Sequence, residues 1–106
     1  MLVAQSVTYD LIRSLRTVVA QVRVHNTTLA DQITRAANSV AANLAEGTRR
    51  TNADKKRVYR LAAAEAQEVR AAIESIAAWG YLPDDALAPA RALADRLGAL
   101  TFGLAR

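Results

Sequence analysis

Apolar residues recur every three or four positions along four stretches of the chain, and short polar breaks separate these stretches. This spacing is typical of amphipathic helices, in which the apolar side chains share one face. The first helix is predicted from Val3 to about Val22, with a break over residues 23–27. Its apolar face comprises Ala4, Thr8, Leu11, Ile12, Leu15, Val18, Val19 and Val22.

The second helix is predicted to begin at Thr28, because Thr28 and Asp31 have the spacing of a capping box. Gly47 suits a left-handed helix end. The helix has three stripes. Its core stripe comprises Leu29, Ile33, Ala36, Ala37, Val40 and Leu44; its polar seam comprises Gln32, Ser39, Asn43 and Glu46; its small-residue flank comprises Thr34, Ala41 and Ala45. The small flank would allow a neighbouring helix to approach closely.

The third helix is predicted from a second capping box, Thr51 to Asp54, as far as Trp79. Gly80 and Pro83 should end it. Its buried side is predicted to comprise Val58, Leu61, Ala62, Val69, Ala72, Ile73, Ile76 and Trp79. In the fourth segment, a short turn over residues 84–88 should precede regular helix from Pro89 onward, because proline disrupts the preceding turn.

Length and composition agree with a single all-helical domain over residues 1–106. Four glycines, two prolines and no Asn-Gly or Asp-Gly pair argue against a sheet. No cysteine is present, and no segment reaches the roughly 18 uninterrupted apolar residues of a membrane span. We therefore predict an all-α, antiparallel up-and-down four-helix bundle, located in the cytoplasm and not in a membrane.

The segment from Ser39 to Arg50, together with the residues just before it, carries a family signature. Blocks match at Gln32, Ala36-Ala37, Ser39-Val40 and Asn43-Leu44-Ala45-Glu46-Gly47, followed by Arg49 and Arg50. This pattern resembles that of the bacterial 23S rRNA intervening-sequence proteins and, more distantly, the accessory variability determinants of diversity-generating retroelements. The similarity continues through the third helix to Gly80-Tyr81-Leu82.

The resemblance implies a four-helix bundle that assembles as a homo-oligomer, because the best-known members of the family form rings of five. The polar seam and the small-residue flank of the second helix would suit contacts between such subunits. The retroelement proteins imply RNA and a reverse transcriptase, or another protein, as possible partners.

The residues needed for common catalytic and metal sites do not occur together. A bundle di-metal site needs Glu-x-x-His motifs, whereas the single histidine, His25, falls in a predicted turn. No glycine-rich phosphate loop is present, and His25 has no positioned companions for a serine-histidine-acid site. We therefore expect no enzyme activity, no cofactor and no metal, with His25 as a solvated loop residue.

Two glutamates of the third helix need an explanation. By helical phase Glu65 points toward the apolar stripe, and its family counterpart is commonly serine, whereas Glu68 matches the family. We expect Glu65 to reach the surface or an interface and pair with an arginine. The polar seam of the second helix is expected to be a structural hydrogen-bond network, with a ligand site as the alternative.

Six cations fall within twelve residues around the turn between the second and third helices: Arg49, Arg50, Lys55, Lys56, Arg57 and Arg60. We call them the basic turn. Only Asp54 opposes them in this stretch. Cations near a helix start oppose the helix dipole, which indicates a role other than helix stability, and phosphate is the anion that such helix starts commonly bind. The only nearby aromatic residue for base stacking is Tyr59. A solvated turn without a ligand is the alternative.

The sequence thus predicts a non-catalytic, self-associating bundle. We interpret it as a nucleic-acid accessory protein, most simply one that binds RNA or DNA backbone through the basic turn, with a net charge of +4 overall. The segment from Leu61 to Asp85 is acidic, so one end of the bundle should be basic and the other acidic. The alternative is an oligomeric scaffold or protein-partner module without nucleic acid.

Overall fold

A computed structural model describes residues 1–106 as four helices joined by short turns. The helices are α1 (Val3–His25), α2 (Thr27–Gly47), α3 (Asn52–Trp79) and α4 (Asp84–Ala105). Each helix packs on the next, and α1 closes the bundle against α4. The particle is elongated, 43 × 22 × 19 Å. The predicted all-α four-helix bundle is confirmed.

The core runs the length of the bundle and consists of one cluster of 24 buried residues. It includes most of the predicted apolar positions, but two of those assigned to α3 are wrong. Leu61 is 46% exposed and Trp79 is 70% exposed. Leu61 lies at the edge of the buried stripe, one residue from the fully buried Ala62. Trp79 lies in the last turn of α3, where the helix runs out to the end of the bundle.

The helix starts differ from the predicted capping boxes. Asn26 alone separates α1 from α2, and its Oδ1 accepts a hydrogen bond from the Leu29 N–H at 2.9 Å. Asp31 instead pairs with Arg23 at 2.7 Å. The Thr51 side chain makes no capping hydrogen bond either. Neither predicted box forms, and the acidic residue of each binds an arginine, Asp31 with Arg23 and Asp54 with Arg57.

Pro89 does not delay α4, which begins at Asp84 and continues through the proline. The helix position explains this difference from the prediction. Pro89 lies in the second turn and is exposed, as is Asp85, four residues earlier. Water can therefore solvate the Asp85 carbonyl that Pro89 leaves without an intrahelical partner.

Gly47 is the last residue of α2 and is buried, but its backbone is not left-handed. The left-handed residue of this turn is Asn52, with φ +53°. The Tyr59 ring of α3 packs directly on Gly47, and a β-carbon at position 47 would lie 2.7 Å from Tyr59 Cδ1. The prediction of a left-handed helix end at Gly47 was therefore wrong. Glycine is required there because an aromatic ring occupies the space of a side chain.

Candidate nucleic-acid interface

The basic turn is held in place by hydrogen bonds that continue the end of α2. The backbone N–H groups of Thr48, Arg49 and Arg50 donate to Leu44, Glu46 and Gly47 carbonyls at 3.0–3.3 Å. The Thr48 hydroxyl also donates to the Ala45 carbonyl, at 2.7 Å. These bonds fix the backbone from which the six cations project.

Two carboxylates neutralise part of the basic turn. Glu46 contacts Arg49 at 3.5 Å and Arg50 at 2.6 Å, and Asp54 contacts Arg50 at 3.2 Å and Arg57 at 3.0 Å. The hydrogen bond and charge of Glu46 raise the pKa of Arg50 above its ordinary value. Asp54 is therefore not the only opposing acid, because the last turn of α2 brings Glu46 to the same place.

Lys55, Lys56 and Arg60 have no carboxylate within 4 Å. All three lie in the first turns of α3, and Lys56 and Arg60 are exposed. These three side chains are available to an external anion. Tyr59 is only 5% exposed and packs on Gly47, so it offers no face for base stacking. The geometry fits contacts with phosphates and not with bases.

The polar seam of α2 does not form one hydrogen-bond network. Asn43 Nδ2 donates to the Ser39 carbonyl at 3.0 Å and lies 3.5 Å from the Ser39 hydroxyl. Glu46 binds the arginines of the basic turn, and Gln32 is exposed at the other end of the helix. The seam therefore divides into a local Asn43–Ser39 contact and a Glu46 contact that belongs to the basic turn.

Glu65 and Glu68 share one partner on α2, the guanidinium of Arg35. The closest atoms are 3.3 Å apart for Glu65 and 3.5 Å apart for Glu68. The Glu65 side chain is 21% exposed. Burial, followed by the hydrogen bond and charge of Glu68, raises the pKa of Glu65, and Arg35 only partly opposes this increase. The arginine expected for Glu65 is thus Arg35, in a position where two carboxylates compete for one cation.

The change in the free energy of unfolding that Glu65→Gln causes should be more favourable at pH 7 than at pH 4. Because folding raises the pKa of Glu65, the folded state binds more protons than the unfolded state. The carboxyl group therefore favours folding at low pH, and this contribution is lost as the pH rises from about 4.3, the unfolded value, through the folded pKa. Urea unfolding at both pH values measures the difference. Glu68→Gln should weaken the same pH dependence, because Glu68 helps to raise the pKa of Glu65, and an effect of Glu65→Gln of equal size at both pH values would contradict the argument.

The acidic residues of the other half of the bundle are largely paired across helices. Arg91 of α4 binds Glu74 at 2.9 Å and Asp84 at 3.4 Å, and Arg70 binds Asp95 at 2.6 Å. Among the acids of residues 61–85, only Asp85 has no cation within 4 Å. The predicted acidic end is thus reduced to a weak excess of negative charge.

The fold and the site together define a small up-and-down helical bundle that presents positive charge at one end. None of its helices contains a stretch long and apolar enough to span a bilayer. A family model described as 23S rRNA-intervening sequence protein matches residues 5–103. The chain therefore belongs to the family of 23S rRNA-intervening sequence proteins, as the signature around Asn43–Gly47 implied.

A solved structure supports the same fold. The chain superposes with a TM-score of 0.82 on the 1.70 Å crystal structure of a protein of unknown function from the S23 ribosomal protein family of Bacteroides thetaiotaomicron. The two chains are 16% identical, and the match covers 98% of this chain and 99% of the other. A search of curated proteins finds no significant match. The likeness establishes the four-helix architecture.

Several residues that shape the site were not found from the sequence. Arg35 and Arg91 each hold two carboxylates, but recognising them requires the register between neighbouring helices. Tyr59 is the aromatic residue that the sequence offers for stacking of nucleic-acid bases, whereas in the fold its ring packs on Gly47. The one available signal was the glycine itself, because glycine, which has no β-carbon, allows another group to approach the backbone closely.

Proposed function

We propose that this protein is a non-catalytic accessory factor that binds nucleic-acid backbone through the basic turn. The observation that carries the proposal is the excess of cations there: six guanidinium and ammonium groups face two carboxylates, and Lys55, Lys56 and Arg60 have no partner. Leaving three cations unpaired near a helix start costs stability. A phosphate backbone would supply the missing anions, and RNA is the first candidate because of the family's description.

Binding should be independent of base sequence and strongly reduced by salt. If Lys55, Lys56 and Arg60 each neutralise one phosphate of a duplex, the logarithm of the binding constant should fall with the logarithm of salt at a slope of about −2.7. Affinity should then fall roughly 40-fold between 50 and 200 mM salt. Fluorescence anisotropy with labelled RNA and DNA duplexes of scrambled sequence measures the slope. A slope near zero, or no binding at 50 mM salt, would exclude the proposal.

The proposed protein acts as a self-associated particle. Its core contains many alanines and few aromatic residues, so one chain has limited apolar surface to bury, and further burial between chains would stabilise it. Light scattering at micromolar concentration should give several chains per particle. Self-association without nucleic-acid binding would favour a second function, an oligomeric scaffold, for which the exposed apolar groove between α1 and α2 is the supporting observation.

A further inference from the structure

Trp79 is a large aromatic side chain that the bundle holds out toward solvent. It is the only tryptophan in the chain and is 70% exposed at the end of α3. Gly80, with φ +75°, ends the helix, and the Tyr81 N–H donates to the Ile76 carbonyl at 3.1 Å. This arrangement places the Tyr81 ring 6.3 Å from the Trp79 ring, with their planes 13° apart. Tyr81 in turn stacks on His25, with ring centroids 5.1 Å apart. The indole is therefore supported on one side and open on the other.

An apolar groove lies elsewhere on the bundle, between α1 and α2. It has a volume of about 260 Å³, and four of its seven lining residues are apolar, the other three being Arg16, Thr34 and Asn38. Its lining includes Ile12, Leu15, Arg16, Val19, Thr34 and Ala37. A cavity of about 150 Å³ can hold benzene, so this groove has room for the larger ring system of an indole.

The charges beside these two features are complementary. Arg16 is exposed on the wall of the groove and has no carboxylate within 4 Å. Asp85 is exposed six residues beyond Trp79 and has no cation within 4 Å. A guanidinium in the groove can also interact favourably with the face of an inserted indole. Each surface therefore supplies what the other lacks. The groove can receive the exposed ring, and the unpaired Arg16 can pair with the unpaired Asp85.

We infer that Trp79 of one copy inserts into the α1–α2 groove of a second copy, with Asp85 near Arg16 of that copy. The inference rests on the self-association in the proposed function and assigns the surfaces that carry it. Trp79 continues the stripe of Glu68 and Ala72, which faces α2, so the indole and the groove lie on adjacent faces of the bundle. Because the two surfaces differ, the contact is head-to-tail, and copies joined in this way form a ring if the rotation between them closes and a filament if it does not.

Trp79→Ala should dissociate the particle. A tryptophan at the centre of an interface commonly contributes enough that its removal weakens association by about 30-fold or more. Light scattering and sedimentation over a concentration series give the dissociation constant, and circular dichroism checks the fold. Phe102→Ala is the matched control, since Phe102 is an aromatic residue 64% exposed on α4 and outside both surfaces. A Trp79→Ala variant that keeps the parent's particle size would overturn the inference while leaving self-association in place.

A mixing experiment tests the head-to-tail geometry directly. Thr34→Trp covers the groove from within its own chain but keeps Trp79, whereas Trp79→Ala keeps an open groove. Each variant alone should be monomeric, and an equimolar mixture should form particles of two chains and no larger. A mixture that stays monomeric would overturn the inference. A monomeric parent would instead remove the self-association on which it rests.

Discussion

Replacing Gly47 with alanine should lower the free energy of unfolding by about 2 kcal/mol, although alanine is the better helix former. The backbone of Gly47 is helical, so alanine meets no backbone penalty and would gain up to about 1 kcal/mol from propensity. Its β-carbon, however, would lie 2.7 Å from Cδ1 and 2.9 Å from Cζ of the Tyr59 ring. Overpacking of a buried site typically costs about 1 to 3 kcal/mol, and here the cost should lie near the upper limit because the added carbon also overlaps Cε1 of the ring, so it exceeds the propensity gain.

The test of this explanation is a double-mutant cycle with Tyr59→Ala. Tyr59→Ala alone should destabilise the protein by about 3 kcal/mol or more, because it removes a buried aromatic ring. In that background the ring is absent, so Gly47→Ala should become neutral or stabilising. Urea denaturation of the four proteins gives all the terms. The same loss from Gly47→Ala with and without the ring would mean that Tyr59 is not the cause.

Gly47 also shows what the sequence could and could not predict. Helical periodicity predicted the four helices and most of the core, because one side chain in each turn must be apolar wherever helices pack. The sequence predicted that the second helix ends at Gly47, but not why glycine is needed there. The ring that fills the space belongs to Tyr59, on another helix. Contacts between helices depend on register, which periodicity does not contain.

The same limit applies to charge. Counting residues along the chain indicated six cations opposed by Asp54 alone, but folding brings Glu46 against Arg49 and Arg50. Likewise the sequence predicted an arginine partner for Glu65 but could not identify it, because Arg35 approaches from another helix, α2. The location of the basic turn followed from the sequence, but which of its cations are free required the structure.

Helix ends were the least predictable part. Thr28 and Thr51 each precede an acid at capping-box spacing, yet both acids bind arginines, and Asn26 caps α2 instead. The exposure of Trp79 was missed for a related reason. A residue in phase with the core is buried only while neighbouring helices accompany it, and α3 reaches the end of the bundle there.

The double substitution Lys55→Glu with Lys56→Glu should abolish nucleic-acid binding while leaving the bundle intact. Both residues lack carboxylate partners, so their reversal breaks no ion pair. Glutamates in the first turns of α3 also interact favourably with the helix dipole. The glutamate introduced at position 56 would lie four residues before Arg60, the favourable order for a helical ion pair, and would therefore engage the third free cation as well. Affinity at 50 mM salt should fall by at least about 100-fold, from the usual micromolar range of non-specific binding to below detection.

The control is Arg13→Glu with Arg96→Glu, which lowers the net charge by the same amount and breaks only the exposed ion pair of Arg13 with Asp10, at 3.0 Å. These two arginines lie on α1 and α4, the two helices that do not carry the basic turn. This control should lose no more than a few-fold in affinity if phosphate binds at the basic turn. Arg50 is kept unchanged in both variants because it bridges Glu46 and Asp54, at 2.6 and 3.2 Å, and its reversal would place three acids together. Equal losses in the two variants would show attraction by net charge alone, and full retention by the Lys55 and Lys56 variant would favour the scaffold function in place of nucleic-acid binding.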